Sequence, residues 1–197
     1  MSAEPARPTR VVIAEDEAII RLDLKELLQE EGYDVVGETG RGDEAIELVR
    51  DLRPDLVILD IKMPGLDGLS AARQVASERL AAVLMVTAFS QRELVEQARD
   101  AGALAYLVKP FQKSDLIPAI EVALGRYSEL TALERDVEDL QSRLEARKSI
   151  DRAKGRLMDD HGLAEQDAWR FLQKQAMANR VKIDEIARRV VDGELQP

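Results

Sequence analysis

Five short aliphatic runs, each followed by an amphipathic stretch, limit this chain more than any other feature. The runs are RVVIA (10–14), YDVVG (33–37), DLVILD (55–60), AVLMVT (82–87) and LAYLV (104–108). They are rich in Val, Ile and Leu without polar alternation, which suits strands covered on both faces. Helical patterns lie between them near 17–30, 42–52, 67–78 and 91–101, with another from 115 onward. Five strands alternating with five helices predict an α/β fold built on a five-stranded, doubly wound parallel sheet. In such sheets ligands bind outside the carboxyl ends of the strands.

Polar residues gather at those ends. The first run leads into Glu15 and Asp16, the third ends on Asp60, the fourth on Thr87, and the fifth runs into Lys109. Carboxylates held this close together cannot all ionise unless a cation joins them. Oxygen-only ligands point to a hard ion, and Mg²⁺ fits best. Asp60 is then placed as a carboxylate nucleophile that becomes an acyl phosphate, with Mg²⁺ and Lys109 against the phosphoryl oxygens. Taken singly, each residue has a plainer explanation: helix caps, a strand-end hydroxyl, a surface amine. The joint pattern carries the reading. A hydrolase with an Asp nucleophile competes with it, but such enzymes often use Asp-x-Asp. Here Lys62 stands two residues past Asp60, so the acid/base carboxylate is missing. The expectation is a switch and not an enzyme.

Size allows one domain and a small second one, or two small domains, in 197 residues. With 45% hydrophobic and 34% charged residues, the composition is that of a folded, soluble chain. Cysteine is absent from the sequence, which excludes disulfides, thiolate metal sites and thiol nucleophiles and fits a reducing cytosol. The opening MSAEPARPTR lacks the apolar core of a secretory signal, and LAAVLMV at 80–86 is too short to span a bilayer. A cytoplasmic protein without membrane contact is expected, with a loose tail over residues 1–9.

Charge is unevenly spread. The chain carries a formal −10, yet residues 147–182 hold nine basic side chains against five acids, a local +4 that leaves −14 to the rest. Net charge of that size discourages non-specific polyanion binding elsewhere on the chain. Ahead of the basic segment, Leu130, Leu133, Val137, Leu140 and Leu144 are spaced three, four, three, four, a coiled-coil seam. The plainer alternative is one amphipathic helix packed on its own chain.

The tail reads as three short helices. The first carries Ile150, Ala153 and Leu157 and stops at DDHGL, where Gly162 can take a left-handed conformation. The second turns Ala168, Trp169, Leu172 and Ala176 inward, base stacking being the alternative for Trp169. The third has the stripe Ile183, Ile186, Ala187, Val190 and Val191. At 100° per residue, Lys148, Arg152 and Arg156 fall opposite Ile150, while Arg147 and Lys154 flank the apolar side. This is either a solvated face or a ridge for phosphates. His161, the sole histidine, reads as an exposed turn residue with no second zinc ligand nearby.

Two families resemble these segments. Over residues 10–125 the motifs AED, ILDIKMPGLDG, MVTAF and AYLVKPF resemble a response-regulator receiver domain of flavodoxin-like fold. The resemblance implies that a sensor histidine kinase phosphorylates Asp60. It implies that Glu15, Asp16, Asp60 and the backbone carbonyl of Lys62 hold Mg²⁺. Thr87 and Tyr106 would form a switch, with Tyr106 turning inward as Thr87 moves to the phosphoryl group. Lys109 would bind that group, and the Lys109–Pro110 bond would be cis. Glu15 departs from the Asp of many receivers, and its longer arm can reach the metal through water. Phe89 and Lys62 lie where receivers set the phosphoryl lifetime.

From about 130 to 192 the chain resembles the ANTAR domain, an RNA-binding module of transcription antiterminators. The carrying residues are Ala153–Lys154–Gly155, Leu157–Met158, Gly162–Leu163, Ala168–Trp169, Leu172, Ala176–Met177 and Ile186–Ala187. Ala164 stands where the family often caps the second helix with Ser or Thr. The resemblance implies binding to paired RNA hairpins, with contacts expected from Arg147, Lys148, Arg152, Lys154, Arg156, Asn179, Arg180 and Lys182. A homodimer formed on phosphorylation is expected through the leucine seam. The expected layout is a receiver over 10–125, a linker helix or coiled coil over 126–147 and a helical RNA-binding bundle over 148–197. DNA or protein as the output partner is the alternative. For DNA, the second and third tail helices would have to act as a helix-turn-helix, and Asp184 and Glu185 would then face phosphates.

Overall fold

The computed structural model describes residues 7–88 and 92–197, so residues 1–6 of the expected tail, and Phe89, lie outside the described residues. The chain divides into two compact units, Met1–Thr131 and Ala132–Pro197.

The first unit is built on strands β1 (Arg10–Ala14), β2 (Asp34–Thr39), β3 (Leu56–Asp60), β4 (Ala82–Thr87) and β5 (Ala105–Val108). Helices α1 (Ala18–Glu30), α2 (Gly42–Leu52), α3 (Gly68–Ser77) and α4 (Arg92–Asp100) follow the first four strands. All pairings are parallel, in the order β2-β1-β3-β4-β5. Chain order reverses between β1 and β3, the kind of switch point beyond whose strand ends such sheets bind ligands.

Side chains alternate across the sheet. Val12, Val57, Leu59, Val83 and Met85 meet Ala45 and Val49 of α2, Ala71 and Val75 of α3 and Ala98 of α4. Val11, Ile13, Ile58, Leu84 and Val86 meet Leu24 and Leu28 of α1 and Leu116 and Ile120 beyond β5. Cover on both faces is complete for β3 and β4 and nearly so for β1. The expectation of two-sided burial fails for β2 and β5, which are largely half-buried because they form the sheet edges.

Past β5 the structure departs from the sequence reading. A receiver helix, a linker helix and a first tail helix are one element, α5 (Lys113–His161), 49 residues long. The reason is the lack of a breaker. No proline follows Pro118 within the helix, and Gly125 and Gly155 weaken a helix by about 1 kcal/mol each without ending it. Gly162 ends it at φ +68°.

In the second unit, α5 packs with α6 (Glu165–Asn179) and α7 (Ile183–Val191). Its core is Ala153, Leu157, Ala168, Leu172, Ala176, Ile186, Ala187 and Val190. Trp169 is a correction: it is 38% exposed rather than in the core. Ala168, Leu172 and Ala176 centre the buried stripe, and Trp169 lies at its edge, too bulky to fold in beside them. Ala164 precedes α6 with no side-chain cap, as its identity demands. Among the described residues no helix is long and apolar enough to cross a membrane.

Candidate functional site: an acidic pocket and a basic tail helix

Parallel strands deliver their last residues to one edge, and three of those ends are acidic or hydroxylic. Asp60 closes β3 and is 7% exposed, while Glu15 follows β1 and is 1% exposed. Asp16, next to it, is exposed. Ligand oxygens from Glu15, Asp16 and Asp60 all lie within 4.8 Å of one another. The donor set is oxygen alone, with one member open to solvent, which suits a hard divalent ion that keeps some of its water.

Lys109 reaches into this cluster from just beyond β5. Its Nζ lies 2.6 Å from Glu15 Oε2 and 2.9 Å from Asp60 Oδ2. The Lys109 N–H donates to the Thr87 carbonyl at 2.7 Å, and the Lys109–Pro110 bond is cis. Burial on its own would pull the ammonium down, but hydrogen bonds to Glu15 and Asp60 overcome it and raise Lys109. Glu15 is also raised, because burial and the neighbouring Asp60 charge outweigh its bond to Lys109.

Thr87, fully buried at the end of β4, is hydrogen-bonded to the hydroxyl of half-buried Tyr106. Burial raises Tyr106 above the usual phenol range. The pair is therefore connected in this state, with Tyr106 packed against the core on the α2–α4 side of the sheet. Lys62 follows the buried Ile61 with its side chain exposed.

Three supporting residues escaped the sequence reading. Gly68 opens α3 against the Asp60 backbone, and a Cβ there would lie 1.8 Å from the Asp60 carbonyl oxygen. Only glycine lets the loop fold back this closely. Its N–H donates to the Ile61 carbonyl at 2.9 Å, which closes the loop. Asp67 caps α3, accepting from the Ser70 N–H at 2.9 Å and the Ser70 hydroxyl at 2.9 Å. Burial opposes the Asp67 charge, yet the bonds to Ser70 hold its carboxyl below the usual range. Asp-Gly ahead of a helical pattern is a cap signal that could have found Asp67. Arg21 donates from α1 to the Glu15 carbonyl, a contact three-dimensional folding alone reveals.

The basic residues of the second unit divide into two groups. Lys154 bonds Glu165 at 2.9 Å and Asp151 at 3.3 Å, tying α5 to the start of α6. Arg156 pairs with Asp160 at 3.2 Å and donates to the Val191 carbonyl at the end of α7. Lys148 pairs with Glu145 at 2.8 Å. Arg147 and Arg152 are exposed and form no ion pair among the described residues. Asn179 donates to the Gln175 carbonyl at 2.8 Å, Arg180 takes φ +55° after α6, and Lys182 sits exposed at the start of α7. His161 is exposed. The seam residues Leu130, Leu133, Val137, Leu140 and Leu144 are all exposed.

Residues 11–121 match the response regulator receiver domain family, and residues 138–191 match the ANTAR domain. The transcriptional regulatory protein PdtaR of Mycobacterium tuberculosis is 56% identical over 190 residues, 96% of this chain and 93% of that protein. The chemotaxis protein CheY of Thermotoga maritima is 38% identical over 112 residues, 56% of this chain and 93% of its own. Among solved structures, the signal receiver domain of a modulated diguanylate cyclase from Desulfovibrio desulfuricans superposes with a TM-score of 0.57 at 31% identity, covering 61% of this chain and 97% of that one. A CheX–CheY–BeF3–Mg²⁺ complex from Borrelia burgdorferi gives a TM-score of 0.55 at 26% identity, covering 57% of this chain and 87% of that one.

Proposed function

Because the chain belongs to the response regulators and joins a receiver domain to an ANTAR domain, we propose that it is a phosphorylation-controlled, RNA-binding transcription antiterminator. The observation that carries the control step is the meeting of Asp60 with Glu15, Asp16 and Lys109 at the carboxyl edge of the sheet.

Asp60 is the phosphoryl acceptor. Its carboxylate oxygen attacks phosphorus on the phosphohistidine of a sensor kinase. The P–N bond breaks, the imidazole leaves, and an acyl phosphate forms on Asp60. Glu15, Asp16, Asp60 and the Lys62 carbonyl would hold Mg²⁺, and the donor set described above fits that ion. When bound, Mg²⁺ supplies positive charge against the phosphoryl oxygens. Lys109 gives up its bond to Asp60 and turns its ammonium to the new phosphoryl group. The Thr87 hydroxyl leaves Tyr106 for a phosphoryl oxygen, and Tyr106 repacks, a local change that biases a two-state face of the domain.

The output is RNA. Arg147 and Arg152 are exposed cations on one helix, and Lys182 and Arg180 add two more at the α6–α7 turn. Phosphates are their natural ligands. Lys154 and Arg156, whose charges are already spent within the bundle, act chiefly by holding its three helices together. Phosphorylation favours pairing of two copies through Leu130, Leu133, Val137, Leu140 and Leu144, which presents two bundles to two adjacent hairpins and raises avidity. Asp60→Ala should abolish any gain in RNA affinity on phosphorylation. A variant that still gained affinity from a phosphodonor would remove Asp60 from the scheme.

A further inference from the structure

Four large apolar side chains form a stripe on the α5 segment of the second unit. Leu133 is 62% exposed, Val137 50%, Leu140 64% and Leu144 53%. Their spacing is that of alternating core positions in a coiled coil. The stripe runs from residue 133 to residue 144, roughly 16 Å at 1.5 Å per residue step. So short a seam holds weakly whichever way two helices run, and flanking charges decide the direction.

Those charges are graded along the helix. Glu134, Asp136, Glu138 and Asp139 outnumber Arg135 at one end of the stripe, and Arg143, Arg147 and Lys148 outnumber Glu145 at the other. We infer that two copies of this chain pair antiparallel along α5, with Leu133 against Leu144 of the partner subunit and Val137 against Leu140 of the partner subunit. The inference rests on the reading that the chain acts as a pair, and it adds the direction and register.

In a parallel pair, Arg143 would flank the seam against Lys148 of the partner subunit, twice by symmetry. Arg147, next in the spacing, would stack on Arg147 of the partner subunit across the axis. The Arg147 contact sets like charges together, the Arg143 contact does so beside the Lys148–Glu145 pair, and the acidic ends would also be superposed. In the antiparallel pair, Asp136 meets Arg143 of the partner subunit, again twice. In the same register Arg147 lies opposite Leu130 of the partner subunit, where its aliphatic stem can cover the leucine, and neither Arg147 meets another arginine. Asp136 and Arg143 are exposed and form no ion pair among the described residues, so both are available for this contact. Like charges at such flanks select against the wrong partner geometry.

The cysteine-free sequence makes the test direct. Full-length Leu133→Cys and Leu144→Cys proteins are prepared; both positions are exposed, so neither change opens a core. Each is oxidised alone and as an equal mixture, with Mg²⁺ and beryllofluoride present, and run on a non-reducing gel. The antiparallel pair gives a disulfide-linked dimer in the mixture and little from either variant alone. Dimers from each variant alone, with no excess of the mixed species, would show parallel pairing and overturn the inference while leaving the paired state standing. No dimer in any tube would overturn both. The sign of a charge change adds a second readout. Arg143→Asp should reduce mixed cross-linking, and adding Asp136→Arg should restore it. A parallel pair predicts the reverse for Arg143→Asp, since that change relieves its clash with Lys148. RNA affinity enters none of these readouts.

Discussion

Asp60 and Lys109 illustrate how much one residue's neighbours decide. A lone aspartate at a strand end is usually a cap; Asp60 is buried against a lysine 2.9 Å away and shares a pocket with two more carboxylates. Asp67, seven residues on, is such a cap, and its role is to set the loop that returns over Asp60. Asp67→Ala should lower stability by about 1 kcal/mol in urea unfolding. The same residue predicts a pH effect. Its folded-state carboxyl is held below the ordinary value, so its contribution is present above the unfolded-state pKa and is lost as pH falls through the lower folded one. Wild type and Asp67→Ala should therefore converge in stability toward strongly acid pH. A gap that stayed constant down to that range would detach the effect from the carboxylate.

Two arginines on the tail helix separate by the same logic. Arg152→Glu should weaken RNA binding with the melting curve little changed, because Arg152 is exposed, forms no ion pair among the described residues and acts on Glu145 only through charge at a distance. Arg156→Ala should instead lower the melting temperature of the tail, because it releases the Val191 carbonyl and the Asp160 pair. If both variants kept their melting curves and lost RNA equally, the division into contact and anchor would be wrong. Sequence periodicity grouped the two arginines on one face. It could not see that α7 ends beneath Arg156, since that depends on contacts across 35 residues.

At the scale of elements, the strands and helices of the first unit were largely legible. Aliphatic runs such as AVLMVT and the polar residues that end them mark both the strand and its functional edge. Edge exposure of β2 and β5 was not legible, because strand order is a property of the whole sheet. Nor was the continuity of α5, because the sequence motifs change along it while the backbone supplies no break. Trp169 was misplaced for a packing reason: helical phase put it near the buried stripe, but small residues at 168 and 176 leave a shallow core. Gly125 and Gly155 give an element-scale prediction. An added Cβ would meet nothing within 4 Å at either site, and neither has positive φ. Replacing either by Ala should stabilise α5 by about 0.5–1 kcal/mol in thermal or urea unfolding. A loss of stability would mean that one of them marks a bend the helix needs.

For the whole molecule, an acidic chain carries a segment with local net positive charge, and phosphorylation of the acidic part is assigned control over use of the basic part. Such an RNA contact must weaken with salt, since each neutralised phosphate releases counterions. The most direct measurement is a fluorescence-anisotropy titration of a labelled two-hairpin RNA, with a DNA duplex as control, in the presence and absence of Mg²⁺ and beryllofluoride. The account predicts RNA binding that appears or strengthens with the phosphoryl mimic, fades with salt and is lost in Arg152→Glu. RNA affinity that is the same with and without the mimic, or no RNA binding in either state across several hairpin pairs, would contradict it.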